Sequence, residues 1–191
     1  QRFDGWLQLR NRQLIGTEVR VDGTITVPSG TARVRGSIDR LERDAEGAYY
    51  VVDLKTGTSQ SDEIKQSHRL QIGVYQAVVA SGGVEAIGPT SVSGAELVHL
   101  RIGAGKGQAN PKVDYQNGLV DVPWPDEAEA VDGCCNWIEA SVDRALRIVR
   151  SGEYPAIANR GCGHCPARAG CPALVPMDPA TAGSDRRRNV P

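Results

Sequence analysis

The chain has 191 residues, 22 Lys and Arg against 23 Asp and Glu, and a formal net charge of −1. That length supports one domain with a substantial core, and the charge balance excludes a histone-like, purely electrostatic nucleic-acid binder. No apolar run approaches the length of a membrane span and no charged-then-apolar leader opens the chain, so a cytoplasmic protein without a membrane partner is expected.

Gln1 to Leu14 carries Phe3, Trp6, Leu7, Leu9 and Leu14 among polar residues, the spacing of a short amphipathic helix. From Thr17 to Val27 the chain alternates: Val19, Val21, Ile25 and Val27 face one way, which predicts a half-buried strand. Pro28-Ser29-Gly30 is a turn, Ala32 to Leu41 a second strand, and Tyr49 to Lys55 a third, rich in aromatic and β-branched residues. Three strands with short connections predict an antiparallel meander.

Ile64 to Ala80 has the period of a helix, stopped by Gly82-Gly83. Ala95 to Ile102 reads as a fourth strand, so a strand–helix–strand crossover and a mixed sheet are expected. Gly103 to Asn110 is a glycine-bearing flexible turn, and Val113 to Val122 a further hairpin or strand pair turning at Asn117-Gly118. Asp126 to Gly152 reads as a long helix capped by Asp126, with Val131, Cys134 or Cys135, Ile138, Val142, Ala145 and Val149 on its buried side. The polar stretch from Met177 onward, ending in three arginines and Asn-Val-Pro, predicts a mobile tail.

The chemistry concentrates between Gly36 and Gly57. Asp53 and Lys55 sit two apart on one strand and share a side, and a hairpin would bring Asp39 beside them. Two carboxylates packed together repel unless a cation joins them, and oxygen ligands of this kind suit Mg²⁺ or Mn²⁺. A lysine there can orient a water or neutralise developing charge. The chain has only four lysines against eighteen arginines, so this one is not simply a product of composition. Alone, D-x-K on a strand is common in ordinary ion pairs. A second match follows: Gln71 and Tyr75, four apart, share a face of the next helix, with His68 on or near it as an exposed side chain. His99, alternating with apolar neighbours, reads as structural.

With G-S-I-D-R at 36–40, V-V-D-L-K-T-G at 51–57 and Q-I-G-V-Y at 71–75, the chain resembles the RecB-like nuclease domain of the PD-(D/E)xK superfamily. The resemblance implies an α/β (α+β) restriction-endonuclease-like core, a central mixed sheet flanked by helices, spanning 1–175 with a flexible tail at 176–191. It implies a Mg²⁺- or Mn²⁺-dependent deoxyribonuclease, exonuclease rather than endonuclease. Asp39, Asp53 and the Leu54 carbonyl would hold the metal, Lys55 would assist the nucleophile, and Gln71 and Tyr75 would border the site. Relatives of this type are fused to helicases of bacterial end-processing machines. The expected partners are therefore single-stranded DNA or DNA ends and a helicase motor, in double-strand-break repair, and Gln1 as first residue fits a piece of a longer helicase-nuclease. In many relatives an upstream histidine or acid completes the metal shell; Asp4 and Glu18 are what this chain offers. The alternatives are a catalytically silent DNA-binding or scaffolding module and a zinc-organised interaction domain.

Cys162, Cys165 and Cys171 form C-x2-C-x5-C, a spacing that favours zinc or an iron–sulfur cluster over disulfides. By resemblance, three such cysteines join a fourth far upstream to bind a [4Fe–4S] cluster. That upstream cysteine is absent here; Cys134, Cys135 and His164 are the substitutes on offer.

Overall fold

The computed structural model describes residues 2–57, 62–105, 109–121, 124, 130–158 and 160–173, with the side chains of 2, 62–67 and 160 left aside. Its elements run α1 (Arg2–Gln8), β1 (Gln13–Val27), β2 (Gly30–Arg43), β3 (Tyr49–Lys55), α2 (Asp62–Ala80), β4 (Val92–Gly103), β5 (Pro111–Asn117) and α3 (Trp137–Ser151). The five strands form one sheet in sequence order. β1–β2 and β2–β3 pair antiparallel, β3–β4 parallel, and β4–β5 antiparallel. The expected meander, crossover helix and mixed sheet are therefore present. Two compact units divide at Arg147 and Ile148; the sheet and α2 belong to the first.

β3 shows why the sheet has two different faces. Its alternate residues Tyr50 and Val52 join Trp6 of α1 and Val98 of β4 in one apolar cluster, with Phe3, Leu7 and Leu54 packed around them. Val51 joins Ile72 and Val78 of α2, Leu97 of β4 and Ile38 and Leu41 of β2 in another. Side chains alternate across a strand, so α1 covers one face and α2 the other. Asp53 and Lys55, in step with Val51, fall on the α2 face.

α2 lies very close to its neighbours. A Cβ at Gly73 would come within 2.2 Å of Ile138 Cδ1 of α3, and one at Gly83 within 2.3 Å of Val78 Cγ1. Gly83 also accepts the Asp22 N–H of β1 at 2.9 Å, so this end of the helix is held against the hairpin by a bare backbone.

The α1 face holds a buried ionic cluster. Glu42 of β2 and Glu96 of β4 are 0% and 1% exposed. Arg10 donates to both carboxylates and stacks 4.2 Å above the Trp6 ring. Arg40 Nε bonds Glu42 at 2.6 Å, and Arg12 lies 3.8 Å from Glu96.

Three expectations need correction. The long helix begins at Trp137, and residues 130–136 are irregular, with a turn at 132–133 and a bend at 135–136. Its cap is Asn136, whose Oδ1 accepts the Glu139 N–H at 3.0 Å, while the Glu139 carboxylate accepts the Cys135 N–H just before the cap at 2.7 Å. Cys134 and Cys135 therefore precede the helix, half-buried and exposed, and Val149 is 60% exposed. The expected cap Asp126 lies outside the described residues, as does the tail at 176–191. Second, the expected hairpin at 113–122 is a single strand, β5, followed by a turn in which the Asp121 N–H bonds Gly118. Third, the first helix ends at Gln8 and Leu14 already belongs to β1.

Candidate active site

The site is built where β2 ends its regular alternation. Ile38 and Leu41 both enter the core under α2, so the period of two slips between them. Opposite the slip, between the pairs Thr17–Arg40 and Val19–Ile38, Glu18 takes a left-handed backbone with φ 50°. A non-glycine residue held there is strained. The irregularity turns Asp39 toward β3, where its Oδ2 accepts the Leu54 N–H at 2.7 Å. The link the sequence predicts between Asp39 and the D-x-K strand is thus a direct hydrogen bond.

Asp53 is 5% exposed. Lys55 Nζ lies 2.8 Å from its buried Oδ2 as an ion pair, without a well-aligned hydrogen bond. Burial, reinforced by the nearby Asp39 charge, pushes the Asp53 carboxyl above the ordinary carboxylate range despite Lys55. Lys55 also donates to Gln71 Oε1 of α2 at 2.9 Å. Sequence-distant Asp39, Asp53, Lys55 and Gln71 therefore meet at the C-terminal end of β3. Of Leu54 it is the N–H, bonded to Asp39, that takes part in this arrangement. Tyr75, one turn further along α2, rests on Gly36: a Cβ there would meet Tyr75 Oη at 3.0 Å and Cε1 at 3.1 Å. It touches β2 three residues before Asp39.

Two histidines join the same face. His99 of β4 stands in register with Lys55, is fully buried, and its Nε2 lies 2.8 Å from Asp114 Oδ2 of β5. Lys112 bonds the same carboxylate, and the two partners hold Asp114 below the ordinary range against the effect of burial. His68 is half-buried rather than exposed. Burial lowers its pKa, Lys55 lowers it further, and Asp53 partly opposes them. Sequence reasoning missed Asp114; the alternation of Lys112 and Asp114 around Val113 was the available signal. Asp4 belongs to α1, which covers the opposite face, and Glu18 accepts from Ser37 Oγ at 3.2 Å.

A family model described as the PD-(D/E)XK nuclease superfamily matches residues 1–172. The chain belongs to the PD-(D/E)XK nuclease superfamily. A crystal structure of SSO0001 has the same fold, with a TM-score of 0.51 at 19% identity over 91% of this chain and 66% of that one. The chain thus spans just under two thirds of the length of that relative. No curated protein matches by sequence.

The donor set suits a hard divalent cation. Asp53 is a buried carboxylate whose charge is disfavoured by desolvation and by Asp39, and a cation would relieve both. Mg²⁺ needs only one or two carboxylates, because it keeps several waters; among the described residues no three His, Cys, Asp or Glu side chains converge to hold a metal. The cysteines fit their expected cofactor less well. Cys162 and Cys165 lie on a short 3₁₀ turn and beside it, Cys171 after another, and three thiolates are one short of the four an iron–sulfur cluster takes. Among the described residues no helix is long and apolar enough to cross a membrane.

Proposed function

We propose that this nuclease-like domain hydrolyses DNA phosphodiesters with Mg²⁺ or Mn²⁺, as the exonuclease part of a helicase-nuclease that trims DNA ends during double-strand-break repair. One observation supports it above the others: Lys55 bridges a buried carboxylate and Gln71, beside a second carboxylate fixed by backbone.

Asp39 and Asp53 would hold the cation, with the Leu54 carbonyl as a third ligand. The cation would supply charge for the phosphoryl oxygens and acidify a water. Asp39 is oriented by the Leu54 N–H, so its free oxygen is presented in one direction. Lys55, held by Gln71, keeps its ammonium beside the position where negative charge grows on phosphorus, and such fixed charges act without reorganising. Burial of Asp53 keeps water from screening these contacts. Tyr75 would border the scissile strand. The cysteines take no part in the reaction; a cluster or zinc there would organise the C-terminal unit, and iron and zinc analysis with an absorbance spectrum distinguishes them.

The test is cleavage of single-stranded and duplex DNA with Mn²⁺ or Mg²⁺ by wild type, Asp53→Ala and Lys55→Ala. Each variant should lose at least about a hundredfold in rate while remaining folded at the assay temperature. Equal activity in all three, or none in wild type with either metal, contradicts the reading and favours a silent DNA-binding module.

A further inference from the structure

The α1 face of the sheet keeps a cleft that the proposed reaction does not use. It holds about 420 Å³, within the range of small-ligand sites. Its lining comes from α1, the segment that follows it, and β5. At its base lies the buried ionic cluster: Glu96 is 1% exposed and the Arg10 side chain 8%. Arg10 is engaged by Glu42 and Glu96.

Arg12, which lines the same cleft, is not engaged in this way. Its guanidinium sits 3.6 Å from the centre of the Tyr50 ring. Glu96 Oε2 is 3.8 Å from it, too far for a hydrogen bond. Among the described residues Arg12 makes no hydrogen bond at all, although three quarters of its side chain is buried. A guanidinium offers five N–H donors in a planar fork, and its place over Tyr50 fixes where that fork sits.

Tyr115 is the second uncovered group. It stands opposite Glu96 in the β4–β5 register, and Glu96 is in register with Val52 of the α1 face. Trp6 and Tyr50 on this face are buried, whereas Tyr115 is 68% exposed. Leu9, also exposed, reaches the cleft from the α1 side, and the amides of Asn11 and Asn110 line it too. A simple carboxylate would use the free cation and leave the ring bare. A purely apolar ligand would cover the ring and strand the cation. A nucleotide uses both, because bases stack on aromatic side chains and a phosphate matches the guanidinium fork.

We infer that this cleft binds one nucleotide unit, with its base against Tyr115 and its phosphate on Arg12. The site is across the sheet from Asp53 and Lys55, so it goes beyond the proposed reaction and needs no cleavage. A free deoxynucleotide and a nucleotide within a DNA strand share this chemistry.

The experiment measures equilibrium binding to the full chain by calorimetry in the presence of chelator. No bond is then cleaved, and Asp39 and Asp53 without a cation repel phosphate. The ligands are deoxyadenylate, deoxyadenosine, inorganic phosphate and a single-stranded oligomer of deoxyadenylate. The proteins are wild type, Tyr115→Ala, Tyr115→Phe and Arg12→Gln; the exposed Tyr115 can be replaced without disturbing the core. Deoxyadenylate, the oligomer or both should bind wild type saturably. Whichever binds should weaken about tenfold in Tyr115→Ala and stay within about threefold in Tyr115→Phe. It should also weaken about tenfold in Arg12→Gln, to which deoxyadenosine is indifferent. Binding of the oligomer alone with this pattern assigns the cleft to a strand, and binding of deoxyadenylate assigns it to the free nucleotide as well. No saturable binding of either, affinities unchanged by Tyr115→Ala or Arg12→Gln, or phosphate bound as tightly as deoxyadenylate overturns the inference. A failed cleavage assay leaves these measurements untouched, so the nuclease reading and the nucleotide cleft stand or fall separately.

Discussion

Replacing Arg10 by Met removes the cation between two of the most deeply buried carboxylates in the structure. Glu42 and Glu96 are 0% and 1% exposed, and the Arg10 side chain 8%. Removing one partner of a buried ion pair costs about 3–5 kcal/mol. Arg40 stays on Glu42 at 2.6 Å and Arg12 within 3.8 Å of Glu96, so the lower end, about 3 kcal/mol, is expected. The methionine keeps part of the packing on Trp6 but not the cation–π contact. For a chain of this size the loss corresponds to a melting temperature lower by roughly 6–12 °C. The effect also has a pH signature. Burial holds the Glu96 carboxyl above its ordinary range, against Arg10 and Arg12, and losing Arg10 raises it further. A folded pKa above the unfolded one favours the native state at low pH, and that benefit disappears as pH rises through the folded value. The deficit of the variant should therefore grow as pH rises through the folded value. Urea melts across that rise, with Arg10→Met/Glu96→Gln as the companion, measure this. A deficit below about 1 kcal/mol, or one independent of pH and unrelieved by Glu96→Gln, refutes the account of the cluster.

Asp53→Asn should stabilise the metal-free protein, because its carboxyl is held above the ordinary range by burial and by Asp39. The wild type should lose stability relative to the variant as pH rises past that folded value, and Mg²⁺ should raise the melting temperature of the wild type alone, as calorimetry with and without chelator would record. Gly73→Ala places a Cβ 2.2 Å from Ile138 Cδ1 and 2.7 Å from Cγ1 in a packed interface; an overpacking cost of about 1–3 kcal/mol is expected in denaturant melts. Asn136→Ala removes the cap of α3 and should cost about 1 kcal/mol, whereas Asp132→Ala, four residues earlier in the turn, should be near neutral in the same melt.

What could be read from the sequence was whatever local period and punctuation dictate. β3 emerges with its observed bounds, because Tyr49 to Lys55 is uniformly strand-forming and flanked by turn residues. The spacing of Gln71 and Tyr75 placed them on α2 without any tertiary knowledge. The cap at Asn136 escaped notice although Asn-Trp-Ile-Glu is a helix-start pattern; an acidic run at 126–129 gave a competing start signal. β5 was doubled because Asn117-Gly118 looks like a hairpin turn, whereas the chain uses it to leave the sheet. The Arg10–Glu42–Glu96 cluster was illegible, since its members are 32 and 86 residues apart and each is ordinary on its own strand or loop. The same holds for His68, whose environment comes from β3 and β4 and not from α2.

Gly36 and Gly73 give α2 two points of bare contact, one beneath Tyr75 and one against Ile138. A rod pinned twice along its length can neither slide nor roll. The gap between its first turns and the end of β3 is therefore set by apolar shape, before any polar group is counted. Evolution can consequently exchange the side chains that line that gap, altering what is cleaved or merely gripped, while the spacing that any such chemistry requires is inherited unchanged.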